Sequence, residues 1–145
     1  MGNFVIQFCV QLLTYCFQGE NINSLIDFPI LNQPYAERII KFIKLENKIE
    51  TSILIFTILT HLVTKSDKHL EGLKITFNTY FNNIFNNDSI FIKARLCVFL
   101  GFYLDELFNN NKNLTDASIQ FLFINLFKYN QYQGLSYLVY KSIII

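Results

Sequence analysis

Side chains able to do chemistry are few and scattered in this sequence, and one basic run stands apart from them. Lys93-Ala94-Arg95-Leu96-Cys97 opens an apolar helical stretch that continues through Val98-Phe99-Leu100-Gly101. An arginine in that place suits a forked ion pair, because its planar guanidinium always carries charge and presents several donors at once. Asp88, seven residues earlier, is the nearest local carboxylate, so a structural Arg95–Asp88 pair is expected. Lys93 is the matching candidate for a solvated cation that faces a partner.

Other reactive types lack company. Cys9, Cys16 and Cys97 are an odd set, all inside apolar helical stretches, and are expected to be buried reduced thiols. Cys9 and Cys16 share a helical face, but no third and fourth ligand follow at metal spacing. His61 and His69 flank a turn at 64–67 and do not share a face. Asp105-Glu106 reads as a solvated pair. There is no Ser/His/Asp or Cys/His arrangement in a recognisable context and no glycine loop that could cradle phosphate. No catalytic residue, metal or cofactor is therefore expected, and the chain reads as a binder.

The helices that must position these residues are written in apolar periodicity. Hydrophobic residues make up 52% of the 145 and charged residues only 16%, which excludes a disordered chain. A net charge of +1 offers no electrostatic footprint for nucleic acid. The longest nearly apolar run, Ile53 to Val63, includes Thr57, Thr60 and His61 and is about half of the ~20 residues a spanning helix needs. No membrane partner is expected, and the start of the chain shows neither a secretory pattern nor a myristoylation motif.

Phe4, Val5, Phe8, Leu12 and Tyr15 predict a helix over 3–17. Residues 18–47 hold Pro29 and Pro34 among several Asn, Asp and Gly residues and read as an irregular insertion, with a short helix from Tyr35 to Leu45. Asn47 and Glu50 read as a capping box for a helix over 48–64. Leu70, Leu73, Phe77, Tyr80, Phe81 and Ile84 form an unbroken helical series. Ser89 or Asp88 caps the helix holding Arg95, which ends near Phe108. Thr115 or Asn113 caps the next, with Ile119, Leu122, Phe123, Leu126 and Phe127 as its stripe. A last helix is expected from Tyr132.

Paired in order, these make an all-α chain of about three helical hairpins: roughly 3–64, 67–108 and 114–145. The second members begin near 48, 90 and 132, a spacing in the range of HEAT and armadillo repeats. Such a pair cannot bury its apolar face alone, so stacking into a HEAT-like solenoid is expected. The apolar Ile143-Ile144-Ile145 end then reads as the cut edge of a larger superhelix.

The basic run also resembles a motif of the importin-beta superfamily of nuclear transport receptors. That family has a sequence close to Arg-Ala-Arg-Ala-Cys-Trp-Val opening an inner helix, where this chain has Lys93-Ala94-Arg95-Leu96-Cys97-Val98-Phe99. The likeness is to the importin seven and eight type and the related exportin of importin alpha. Phe8-Cys9-Val10-Gln11-Leu12-Leu13 is similar to the preceding outer helix, and Asn113-Leu114 falls where the next one begins. Leu96 and Val98 depart from the family pattern. The resemblance implies an internal segment of a carrier found in cytoplasm and nucleus, with cargo protein and nucleoporin Phe-Gly repeats as partners and the GTPase Ran as a partner of the intact receptor. It further implies a slot for a Phe ring, framed by Tyr80 or Phe81 with Ile119 or Phe123.

Overall fold

Three side-chain caps set the phase of the helices, and each accepts from a backbone N–H in the first turn. Ser66 Oγ accepts from His69 N at 3.4 Å, Ser89 Oγ from Ile92 N at 3.3 Å, and Asn111 Oδ1 from Leu114 N at 3.1 Å. Each satisfies an N–H that has no partner inside the helix. The computed structural model describes residues 2–108 and 111–128. Its elements are α1 (Gly2–Phe17), α2 (Glu37–Phe42), α3 (Leu45–Ile58), α4 (Thr60–Thr64), α5 (Asp67–Thr79), α6 (Phe81–Phe85), α7 (Ile90–Phe108) and α8 (Lys112–Lys128), with 3-10 turns at Ile22–Asp27 and Pro34–Ala36. The described residues are all-helical, and none of their helices is long and apolar enough to cross a membrane. The helix expected from Tyr132 lies outside them.

Side-chain contacts fix the direction of every long helix. Asn3 meets His69, Thr14 meets Thr76 at 2.9 Å, and Phe17 stacks on Tyr80. Both numbers of each pair rise together, so α1 and α5 run parallel. Ser89 bonds Glu46, Arg95 bonds Glu50, and the Tyr103 hydroxyl donates to the Phe56 carbonyl, so α3 and α7 also run parallel. Between α1 and α3 the order reverses: Cys9 lies by Ser52, and Cys16 feels the charge of Lys48. The result is two antiparallel hairpins stacked like upon like. Asn111 bonds Asn78 and Phe85 packs on Phe121, which lays α8 parallel to α5 and α6 as the next step.

Burial follows this stacking. Leu13, Phe56, Phe77, Leu96, Cys97, Phe99 and Tyr103 lie at the centre, where the Phe77 and Phe99 rings stack at 5.0 Å. Each buried side chain of this size contributes about 1.5–3 kcal/mol.

Several expected boundaries move. The Asn47–Glu50 capping box is not used: α3 starts at Leu45, with Lys44 at the cap position and no side-chain bond there. Second helices thus begin at 45 and 90 rather than 48 and 90. The helix expected over 48–64 breaks at Leu59, because Thr57 and Thr60 turn their hydroxyls back onto carbonyls of their own helix, an arrangement that bends helices. The Phe56 carbonyl is then shared by Thr60 and Tyr103. The series through Phe77 and Ile84 breaks at Tyr80, yet Ile84 N still donates to Tyr80 O, so the apolar face continues across the break. The helix expected over 35–45 is a single 3-10 turn opened by Pro34, followed by the short α2.

The insertion at 18–44 is folded onto the stack. Gly19 and Glu20 take positive φ of 101° and 55°, and the Glu20 N–H returns to the Tyr15 carbonyl, closing α1 in the manner of a left-handed helix cap. Phe28 then meets the Tyr15 ring edge-on, Ile30 N donates to Gln11 Oε1, and Tyr35 meets Phe4. At 3.6 residues per turn, Phe4, Gln11 and Tyr15 lie on a different side of α1 from Asn3, Thr14 and Phe17. The insertion therefore covers α1 on a side that α5 does not.

Lys48, only 3% exposed, ties this segment down from α3. Its ammonium bonds the Glu20 carboxylate at the start of the insertion and the Ile40 carbonyl near its end.

Candidate docking site

The residues picked from the sequence divide between two places. Arg95 Nε lies 3.2 Å from Glu50 Oε1, and the two side chains are 41% and 24% exposed. The expected partner Asp88 is replaced by a carboxylate from the neighbouring hairpin. Glu50 is the sixth residue of α3 and Arg95 the sixth of α7, so parallel stacking brings equivalent positions together. Arg95 is thus a clamp between hairpins.

Asp88 and Lys93 instead line a cleft of about 360 Å³ between α6, the turn after it, α7 and α8. Phe81, Phe85, Phe121 and Ile124 supply its apolar walls, and the exposed Asn86 and Gln120 stand at its rim. Asn125 completes the lining. The volume is near the lower end of the ~300–1,000 Å³ usual for ligand pockets. Phe85 and Phe121 hold each other with centroids 5.2 Å apart, which keeps the two helices in register across the cleft.

Phe81 is the member of the expected slot that the cleft contains. Tyr80 is turned away and stacks on Phe17 of α1, with ring centroids 6.2 Å apart. Ile119 and Phe123 are exposed on α8 but do not line the cleft. Among the described side chains of α8, Leu114, Ser118, Phe121, Leu122 and Asn125 are buried, so Leu122 of the expected stripe faces inward while Ile119 and Phe123 do not; Leu126 and Phe127 lie outside the described side chains. Ser118 and Asn125 sit inward because each donates to the carbonyl one turn earlier, Ser118 Oγ to Leu114 O at 2.7 Å and Asn125 Nδ2 to Phe121 O at 2.8 Å.

Asn125 is the buried polar residue that periodicity missed. It is 3% exposed, and its Oδ1 has no hydrogen-bond partner. The orientation of the carboxamide is fixed by chemistry, since only the amide nitrogen can donate to the Phe121 carbonyl. A buried acceptor without a donor costs about 1–3 kcal/mol of stability. No apolar pattern could have revealed it; the available signal was a lone Asn in the middle of an otherwise apolar helical stripe.

A second groove, about 420 Å³, lies between α1, α2 and α3. Phe4, Phe8, Tyr35, Ile39, Ile43 and Ile55 make it more apolar than the first.

Reactive groups elsewhere are quiet. Burial pushes the Cys9 thiol up to about 11, and those of Cys16 and Cys97 up to about 12. At neutral pH all three are protonated, and the thiol form is a poor nucleophile. His69 is buried against Asn3, and burial, with the nearby Lys68 charge, lowers its pKa. His61 is exposed. No three His, Cys, Asp or Glu side chains gather at a metal-holding distance among the described residues.

Against this geometry, comparisons with protein-family models, with curated proteins and with solved structures find no match to the chain.

Proposed function

We propose that this protein is a docking segment of a HEAT-like helical-hairpin solenoid, and that it serves nucleocytoplasmic transport by binding partner proteins without chemistry of its own. One observation carries the solenoid reading. Like helices stack parallel on like helices, and an ion pair between equivalent positions, Glu50 and Arg95, ties successive hairpins. Units that pack only on their neighbours in this way present long continuous surfaces suited to protein partners.

The transport reading rests on the resemblance of Lys93-Ala94-Arg95-Leu96-Cys97 to the importin-beta superfamily. Under it the partners are cargo protein and nucleoporin Phe-Gly repeats, with Ran engaged by the intact receptor, in cytoplasm and nucleus. A generic scaffold is the second reading. The use of Arg95 in an intramolecular pair favours it, because any stacked array of hairpins has need of such a clamp.

Retention on immobilised Phe-Gly repeats separates the two. Transport predicts retention of the protein on the resin under conditions that hold an intact receptor. Passage through the column under those conditions removes the transport reading and leaves the scaffold.

A further inference from the structure

Independently of the docking reading above, we infer that the outer face of α2 rests on an anionic lipid surface, with the Phe42 ring inserted below the headgroups and Arg38 and Lys44 on the headgroup oxygens. Phe42 is 77% exposed, more than any other large apolar side chain among the described residues. Arg38 lies one turn earlier on the same face of α2, and Lys44 follows at the cap position of α3. Ile43, between Phe42 and Lys44, lines the apolar groove of about 420 Å³ with Phe4 and Tyr35, and all three are exposed. Apolar surface therefore continues from the ring into the groove.

Charge selects the occupant. The carboxylates nearest in sequence are engaged elsewhere: Glu37 with Lys41 at 2.7 Å, and Glu46 with Ser89 ahead of α7 at 2.8 Å. Arg38 and Lys44 are exposed, and neither has an ion-pair partner among the described residues. Two such cations beside a projecting ring match a partner that is anionic outside and apolar within. A bilayer supplies both at once, charged headgroups above hydrocarbon, and asks for no fixed pattern of hydrogen bonds. An acidic protein would have to place a carboxylate at each cation and a socket for the ring between them. Cations and ring act together, because stable anchoring at a membrane takes two signals. The run lengths that argue against a spanning helix do not bear on this contact, since lying on a surface needs no span.

The test sediments the full chain with vesicles of phosphatidylcholine alone, or of phosphatidylcholine and phosphatidylserine in equal parts. Binding to the mixed vesicles that added salt weakens is expected, with little binding to phosphatidylcholine. Arg38→Gln and Lys44→Gln should each weaken it about 5-fold, and Phe42→Ser about 10-fold. The thermal transition should stay in place, because all three side chains are exposed. The chain has no tryptophan, so Phe42→Trp adds a single reporter whose emission should shift to the blue with mixed vesicles. No sedimentation with mixed vesicles, equal binding to both kinds, or full binding after Arg38→Gln and Lys44→Gln together overturns the inference, and the docking reading stands in each case. Capture of a labelled poly-glutamate peptide without vesicle binding gives the face to acidic proteins and likewise overturns it.

Discussion

The two steps of the helix stack close to different extents. Between the first hairpin and the second, hydroxyls meet partners across the seam: Thr14 with Thr76, Ser89 with Glu46, Tyr103 with the Phe56 carbonyl. Between the second hairpin and α8, Asn111 bonds Asn78, but an open cleft of about 360 Å³ remains and the buried Asn125 Oδ1 has no donor. A closely packed seam and an open one thus lie side by side on the same α7. The difference teaches where the described residues close their own surface and where they leave it open.

Substitutions across the two steps can break or sharpen this contrast. Phe77→Ala removes a ring of 0% exposure stacked on Phe99, and should cost about 3–5 kcal/mol in urea unfolding. Phe121→Ala, at 7% exposure beside an existing void, should cost less, about 2 kcal/mol, because part of its surroundings is already empty. Equal losses at the two sites would mean that the second step is as tightly packed as the first. Tyr103→Phe keeps the ring and deletes one buried hydrogen bond; a loss of about 1 kcal/mol is expected, and no loss would show that the seam does not depend on it. Arg95→Ala should have the smallest effect, under about 1 kcal/mol and diminished further by salt, because a pair exposed to 41% and 24% is screened. A larger, salt-independent loss would make the Glu50 clamp more than a surface pair.

Much of the helical framework was legible in the sequence, for reasons that also explain the errors. Ser89 announces its helix through cap chemistry, and the stripe from Leu70 to Ile84 sets the buried face of α5 and α6. Both signals are local. The partner of Arg95 is not local: Asp88 is near in sequence, but parallel stacking brings in Glu50 from 45 positions earlier. Ile119 and Phe123 of α8 were misplaced, though Leu122 was not, because apolar residues occupy so much of its circumference that they do not choose a side. Two polar residues, Ser118 and Asn125, occupy the inner side after satisfying donors on their own helix. Residues 18–47 read as an irregular insertion with one short helix because Pro29, Pro34 and scattered Asn residues break the periodicity; their packing on α1 depends on contacts with Tyr15, Gln11 and Phe4 that spacing does not encode.

Lys48 gives that segment an unusual mechanical property. One ammonium anchors both of its extremities, at Glu20 and at the Ile40 carbonyl, while Asn32 and Gln33 between them are exposed. A protease nick at Asn32–Gln33 would therefore sever the covalent path without releasing either piece, because α1 stays packed on α3 and α5, and the two fragments should elute together.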